Sequence, residues 1–224
     1  MIADNLYKIK EKIEKAAISS GRKADDITLV AVTKTVGVEE CKTLLSLGHN
    51  IFGENRVQAL NEKYEVIKDD AIWHLIGHLQ TNKVKYIMDK VTLIHSVDSI
   101  HLAQEIDRLA EKKGMVKDIL LQVNVSGEES KFGMEKEDLF PTLETASGLK
   151  NIRVRGLMTI PPVSPAPGAN RKYFAELYRL FEELKNQSGS NIFADYLSMG
   201  MSDDFEDAIL EGANIVRVGR ALYI

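Results

Sequence analysis

The sequence predicts an α/β fold, a single (β/α)8 TIM barrel with an extra N-terminal helix, occupying residues 1–224 as one domain. Three observations lead there. Apolar runs alternate with amphipathic stretches along the chain, giving eight strand–helix units in about 200 residues. The runs are continuous rather than alternating, as in ITLVAVT at 27–33 and DILLQVN at 118–124, which suits parallel strands buried on both faces. Polar, small and titratable residues collect at the C-terminal ends of these runs, where such a barrel carries its site. An open doubly wound sheet would place a glycine-rich turn after the first strand, but the sequence there is VTKTVG.

The elements follow in order. Asn5 to Ser20 carries Leu6, Ile9, Ile13 and Ala17 at helical spacing, with Gly21 placed to end the helix. The predicted strands are Ile27–Thr33, His49–Phe52, Ala71–Ile76, Val91–His95, Asp118–Asn124, Ile152–Met158, Ile192–Ser198 and Asn214–Val218. The predicted helices between them are Val38–Leu47, Glu54–Lys68, Asn82–Asp89, Ser99–Lys113, Lys136–Ser147, Asn170–Asn186 and Asp203–Glu211, so each strand except the last is followed by a helix. PPVSPAPGA before the 170–186 helix reads as an ordered or mobile loop, not a domain linker.

Composition narrows the function. A hydrophobic fraction of 44% and a charged fraction of 28% are ordinary for a soluble globular chain. A net charge of −4 argues against a general nucleic-acid-binding face but leaves room for a local pocket for one small anion. The lone cysteine, Cys41, excludes an intrachain disulfide and reads as a buried structural thiol. The charged N-terminus has no signal-like apolar core, and no run approaches a membrane span, so the expected compartment is the cytosol.

Lys34 follows an apolar run at the expected barrel mouth. A lysine partly desolvated there favours its neutral amine, the form that attacks an aldehyde to make a Schiff base; the alternative is a lysine simply leaving a strand for solvent. SMGMSDD after the seventh run offers serines and backbone N–H groups to an anion, helped by Gly219 in RVGR, or else is an ordinary helix start. Arg217 should point into the mouth, where a permanently charged guanidinium would donate a hydrogen bond to a bound ligand, or would form an internal salt bridge. The histidines and the cysteine make no metal-binding cluster; His78 is the histidine expected to face the site, and Trp73 is expected in the core.

The strings AVTKT, FGENRVQ, WHLIGHLQTNK, SVDS, VNVSGEESKFG, GLMTI, LSMGMSDDFEDAI and VRVGRALY, in this order and nearly end to end, resemble the YggS/PROSC family of pyridoxal phosphate (PLP) homeostasis proteins, related to the N-terminal barrel of alanine racemase. The resemblance implies PLP as cofactor, held as a Schiff base on Lys34 with Asn55 beside it. It implies Ser198, Met199, Gly200, Gly219 and Arg220 around the phosphate, Arg217 at the pyridine nitrogen, and Met158 lining the pocket. His78 stands where relatives often carry a small residue or proline, and Val36 where many carry a second lysine. Lys131 is then the better candidate for a secondary PLP contact.

Three functions compete. A PLP carrier in vitamin B6 homeostasis, not an enzyme, would hold the reactive aldehyde and deliver it to apo PLP-dependent enzymes. A PLP-dependent amino-acid racemase would want a base on each face of the cofactor, which in alanine racemase involves an additional domain for which this chain has no residues left. A barrel binding another phosphate ester would need no lysine chemistry. The first is the expectation, with no nucleic-acid or membrane partner and a monomeric state.

Overall fold

A computed structural model describes residues 1–163, 166–187 and 189–224. Eight parallel strands close into a barrel in sequence order: β1 (Thr28–Val32), β2 (Ile51–Glu54), β3 (Ile72–Leu75), β4 (Leu93–Val97), β5 (Lys117–Gln122), β6 (Ile152–Met158), β7 (Ile192–Ser198) and β8 (Ile215–Val218), with β8 pairing back onto β1. The helices are α1 (Ile2–Ser19), α2 (Val38–Ser46), α3 (Val57–Ile67), α4 (Ile100–Lys113), α5 (Leu139–Ala146), α6 (Arg171–Leu184), α7 (Phe205–Leu210) and α8 (Arg220–Tyr223).

The period of two along a strand sorts side chains into two cores. Val30, Leu93, Leu120, Met158 and Ile215, from five strands, meet inside the barrel. Their neighbours Leu29, Ala31, Ile94, Ile119, Leu121 and Val216 point outward into the larger core under the helices. Trp73, 1% exposed, sits in that outer core edge-on to Phe52 at 5.3 Å, and Cys41 is fully buried, its thiol pushed up to about 11 chiefly by burial. Both residues thus occupy the core positions expected of them. The extra helix α1 buries Leu6, Ile9, Ile13, Ala16 and Ala17 and packs on α7 and α8, beside the seam where β8 meets β1.

Three expected elements change. No α-helix forms over 82–89; a 3-10 segment spans Thr81–Tyr86 instead. The buried Val84 and Ile87 are three residues apart, which suits a three-residue turn, and Thr81 and Asn82 are weak helix formers. The helix expected from Lys136 begins as a 3-10 turn and becomes α5 only at Leu139. Starting there places Pro141 in the first turn, where its missing N–H costs no helical hydrogen bond. The last strand is not bare, because α8 follows it. Residues 164 and 165, in the loop expected over PPVSPAPGA, lie outside the described residues.

Candidate functional site

The C-terminal ends of β6, β7, β8 and β1 are adjacent, and their pairing sets Met158 opposite Ser198 and Arg217 opposite Val30. Lys34 lies just past the end of β1 in the turn before α2. Its side chain is exposed, so the partial desolvation expected of it is not what the structure shows: the strand ends at Val32, and the lysine stands beyond the last layer of interior side chains. Among the described residues no carboxylate lies within ion-pair reach of its amine. Thr33, by contrast, is fully buried and held from several sides.

Arg217 is the polar centre of the mouth. At 3% exposure it is buried inside the barrel, donating from Nη1 to Ser198 Oγ at 2.6 Å and from Nη2 to the Thr159 carbonyl at 2.8 Å. Burial pushes the guanidinium down to about 10, so it remains a cation at neutral pH. Among the described residues it forms no internal salt bridge; a hydroxyl and a carbonyl take that place. The network continues from Ser198 Oγ to His95 Nδ1 at 2.9 Å, and from His95 Nε2 to His74 Nδ1 at 3.0 Å.

Burial lowers the proton affinity of both rings, His74 to about 4 and His95 well below the ordinary histidine range, with His74 and Arg217 adding to the effect on His95. Both imidazoles are therefore neutral. Ser198 accepts from Arg217, and His95 Nδ1 is the partner placed to accept its own proton. Donation then runs from Arg217 through Ser198 and His95 to His74.

The β7–α7 and β8–α8 loops interlock. Gly200 has φ of +91°, and a Cβ there would lie 2.5 Å from Ala208 Cβ, so this position requires glycine. Its carbonyl accepts from the Arg217 N–H at 3.0 Å. The Gly219 and Ala221 N–H groups converge on Ser202 Oγ at 3.3 Å each, and a Cβ on Gly219 would press on Val32 of β1. Two expected phosphate neighbours are engaged elsewhere. The Met199 side chain is buried in the outer core, and the Arg220 guanidinium pairs with Asp203 at the surface. Asp203 and Asp204 precede α7 rather than opening it, with Asp204 accepting from the Met201 N–H at 2.7 Å.

On the β2–β3 side, Asn55 is half-buried, and the Gly77 backbone passes so close that a Cβ would lie 2.3 Å from the Asn55 carbonyl. Asn55 and His78 line a cavity of about 470 Å³ with Arg56, Gln58, Lys83 and Tyr86. His78 is exposed, 3.3 Å from Asp98 and stacked at 4.2 Å on Phe132, from the loop after β5 that also carries Lys131. His74 and His78 are four residues apart in HLIGH yet do not converge, because His74 faces the barrel interior and His78 the rim. Among the described residues no group of three or more His, Cys, Asp or Glu side chains could hold a metal ion, and no helix is long and apolar enough to cross a membrane.

The structure thus brings Lys34, Met158, Ser198, Arg217 and Gly219 to one side of the mouth, and Asn55 and His78 to the other. The sequence reading missed His74 and His95. Their signal was present: an imidazole within a strand of a barrel, on the parity that points inward, needs a polar partner there.

The closed barrel with its lysine-bearing rim is of the alanine racemase type: the family described as alanine racemase, N-terminal domain, matches residues 3–224. A pyridoxal phosphate homeostasis protein of Aquifex aeolicus is 47% identical over 98% of this chain and 96% of its own length. PipY of Synechococcus elongatus, solved with PLP bound, superposes with a TM-score of 0.87 at 32% identity, covering the whole of both chains. Alanine racemase of Clostridium difficile shares the fold at a TM-score of 0.77 and 18% identity, over 98% of this chain and 59% of that one. The chain belongs to the family of pyridoxal phosphate homeostasis proteins.

Proposed function

We propose that residues 1–224 form one PLP-binding barrel that holds the cofactor as a Schiff base on Lys34 and delivers it to apo PLP-dependent enzymes, acting as a monomeric carrier in the cytosol rather than as a racemase. The observation that carries this reading is the end-to-end likeness to PipY in its PLP-bound structure, joined to an exposed lysine just beyond β1 that has no carboxylate in ion-pair reach among the described residues.

The residues present fit the group. Bound PLP supplies an aldehyde. Lys34 would be the residue that attaches the group: its amine, in the unprotonated form, would bond to the aldehyde carbon, and the aldehyde oxygen would leave as water. Arg217, a buried cation fixed by Ser198 and Thr159, would donate to the ring nitrogen and keep it unprotonated, which suits storage rather than carbanion chemistry. The Gly219 and Ala221 N–H groups, already converging on one oxygen, would hold the phosphate, with the Ser202 hydroxyl and the Gly200 backbone close by. The Met199 and Arg220 side chains are otherwise engaged, so any contribution from these two residues comes through the backbone. Asn55 and His78 would flank the ring from the β2–β3 side, Met158 would floor the pocket, and Lys131 lies on the loop from which a secondary contact would come.

The test is the visible spectrum of the purified protein with added PLP beside that of Lys34→Ala, then borohydride reduction and peptide mapping. An absorbing adduct in the wild type alone, with the pyridoxyl group on Lys34, is expected. A protein that takes up no PLP would overturn the reading. Transfer is tested by reactivation of an apo PLP enzyme, and saturable alanine racemisation lost in Lys34→Ala would favour an enzyme instead.

A further inference from the structure

A buried ion pair lies directly behind Lys34. Glu54 ends β2 and Lys63 lies within α3, with side chains 0% and 9% exposed. Burying two charges is costly, and well-packed apolar residues in their place are often no less stable. Such a pair suggests a demand for position rather than for stability, and its partners show what it positions.

Lys63 Nζ donates to Glu54 Oε1 and to the Thr33 carbonyl, the latter at 2.5 Å. The Thr33 hydroxyl donates to the same Oε1 at 2.8 Å, and the Asn55 N–H donates to Oε2 at 3.1 Å. The Thr33 N–H donates to the Gly53 carbonyl at 3.0 Å, and the Val36 N–H returns to the Thr33 carbonyl at 3.2 Å. Every polar atom of the residue before Lys34 is therefore held, and one carboxylate ties Thr33 to Asn55 across two strand ends. Lys34 departs from this fixed point with its own side chain exposed.

We propose that the Lys63–Glu54 pair is a positioning device. It fixes the backbone from which Lys34 and Asn55 reach the mouth, so that the Lys34 amine meets an aldehyde with no rearrangement of the strand end. The proposal rests on the reading of Lys34 as the attachment lysine. Neither Lys63 nor Glu54 touches the cofactor in this scheme; both act through Thr33 and the Asn55 backbone.

The test uses full-length protein and the double variant Glu54→Gln/Lys63→Met, which leaves no unpaired charge inside. PLP uptake is followed by stopped-flow absorbance. Separately, without PLP, trace acetylation of Lys34 is measured relative to the other lysines by mass spectrometry. The expected result is native circular dichroism, an adduct still trapped on Lys34, uptake slowed by roughly tenfold to a hundredfold, and an altered relative acetylation of Lys34.

A purely structural pair would lower only the melting temperature, so a folded variant with both rates within about twofold of wild type overturns the proposal. If the double variant does not fold, Thr33→Val decides. It keeps the β-branched shape and removes the hydroxyl donor, and it should slow uptake severalfold; unchanged uptake and acetylation count against the proposal. If the wild type traps no PLP on Lys34, the attachment reading fails by itself, and the acetylation comparison still judges the pair.

Discussion

The Arg217 guanidinium donates to the Ser198 hydroxyl at 2.6 Å inside the barrel, and the same hydroxyl meets His95 Nδ1 at 2.9 Å. Ser198 is thus the joint between a buried cation and a buried pair of neutral imidazoles. Ser198→Ala leaves a donor of Arg217 and a ring nitrogen of His95 without their partner, in a place water reaches poorly. The expected loss is about 2–3 kcal/mol of folding stability by urea unfolding, with weaker PLP binding because Arg217 is no longer fixed. A loss under about 0.5 kcal/mol would mean that the network carries little energy.

Acid should destabilise the fold through His74 and His95. Both have folded-state values depressed by burial, His74 to about 4. In the unfolded chain each titrates near 6.5, so between about pH 6.5 and 4 the unfolded state binds protons that the folded state does not. Stability is complete above that window and falls as pH drops through it, by about 1.4 kcal/mol per pH unit for each proton taken up. Urea unfolding as a function of pH checks this. His74→Asn should flatten the slope between pH 6.5 and about 4.5 by close to one proton, and an unchanged slope would place a charged His74 in the folded state.

Gly200→Ala meets two obstacles together: a backbone at φ +91° and a Cβ 2.5 Å from Ala208 Cβ. The sum of strain and overpacking is about 2–4 kcal/mol. Relief requires the β7–α7 loop to move, which disturbs the hydrogen bond from the Arg217 N–H to the Gly200 carbonyl. A lower denaturation midpoint is expected together with weaker PLP binding, read by equilibrium titration of the visible adduct.

Phe132 is 58% exposed yet lies stacked on His78 at 4.2 Å with the rings 14° apart. Little apolar area is withdrawn from water there, so Phe132→Ala should alter stability by less than about 1 kcal/mol. The contact ties the loop after β5 to the rim after β3. Its removal should speed PLP exchange, measured by transfer to an apo enzyme in excess, while the melting temperature barely moves. A large stability loss with unchanged exchange would make Phe132 a core residue instead.

The sequence by itself determined the class of fold, the strand order and which strand ends carry the rim, though not that the Met199 side chain turns into the outer core and that of Arg220 to Asp203. β-branched apolar runs at regular spacing are local signals, and VTKT, SMGMS and RVG stand out because strand packing does not call for them. β6 and β7 fall where those runs predict them. The 3-10 segment at Thr81–Tyr86 and the late start of α5 were less legible, because a weak propensity there yields to a three-residue burial spacing and to a proline.

The partnerships were settled only in three dimensions. His95 meets Ser198 across 103 residues, Arg217 finds a hydroxyl and a carbonyl in place of a salt bridge, and Lys63 reaches Thr33 across 30. Periodicity states which side chains face inward. Which inward-facing polar groups meet depends on closure of the barrel and on the register of its strands, and that is a property of the whole sheet that no local stretch of the chain contains.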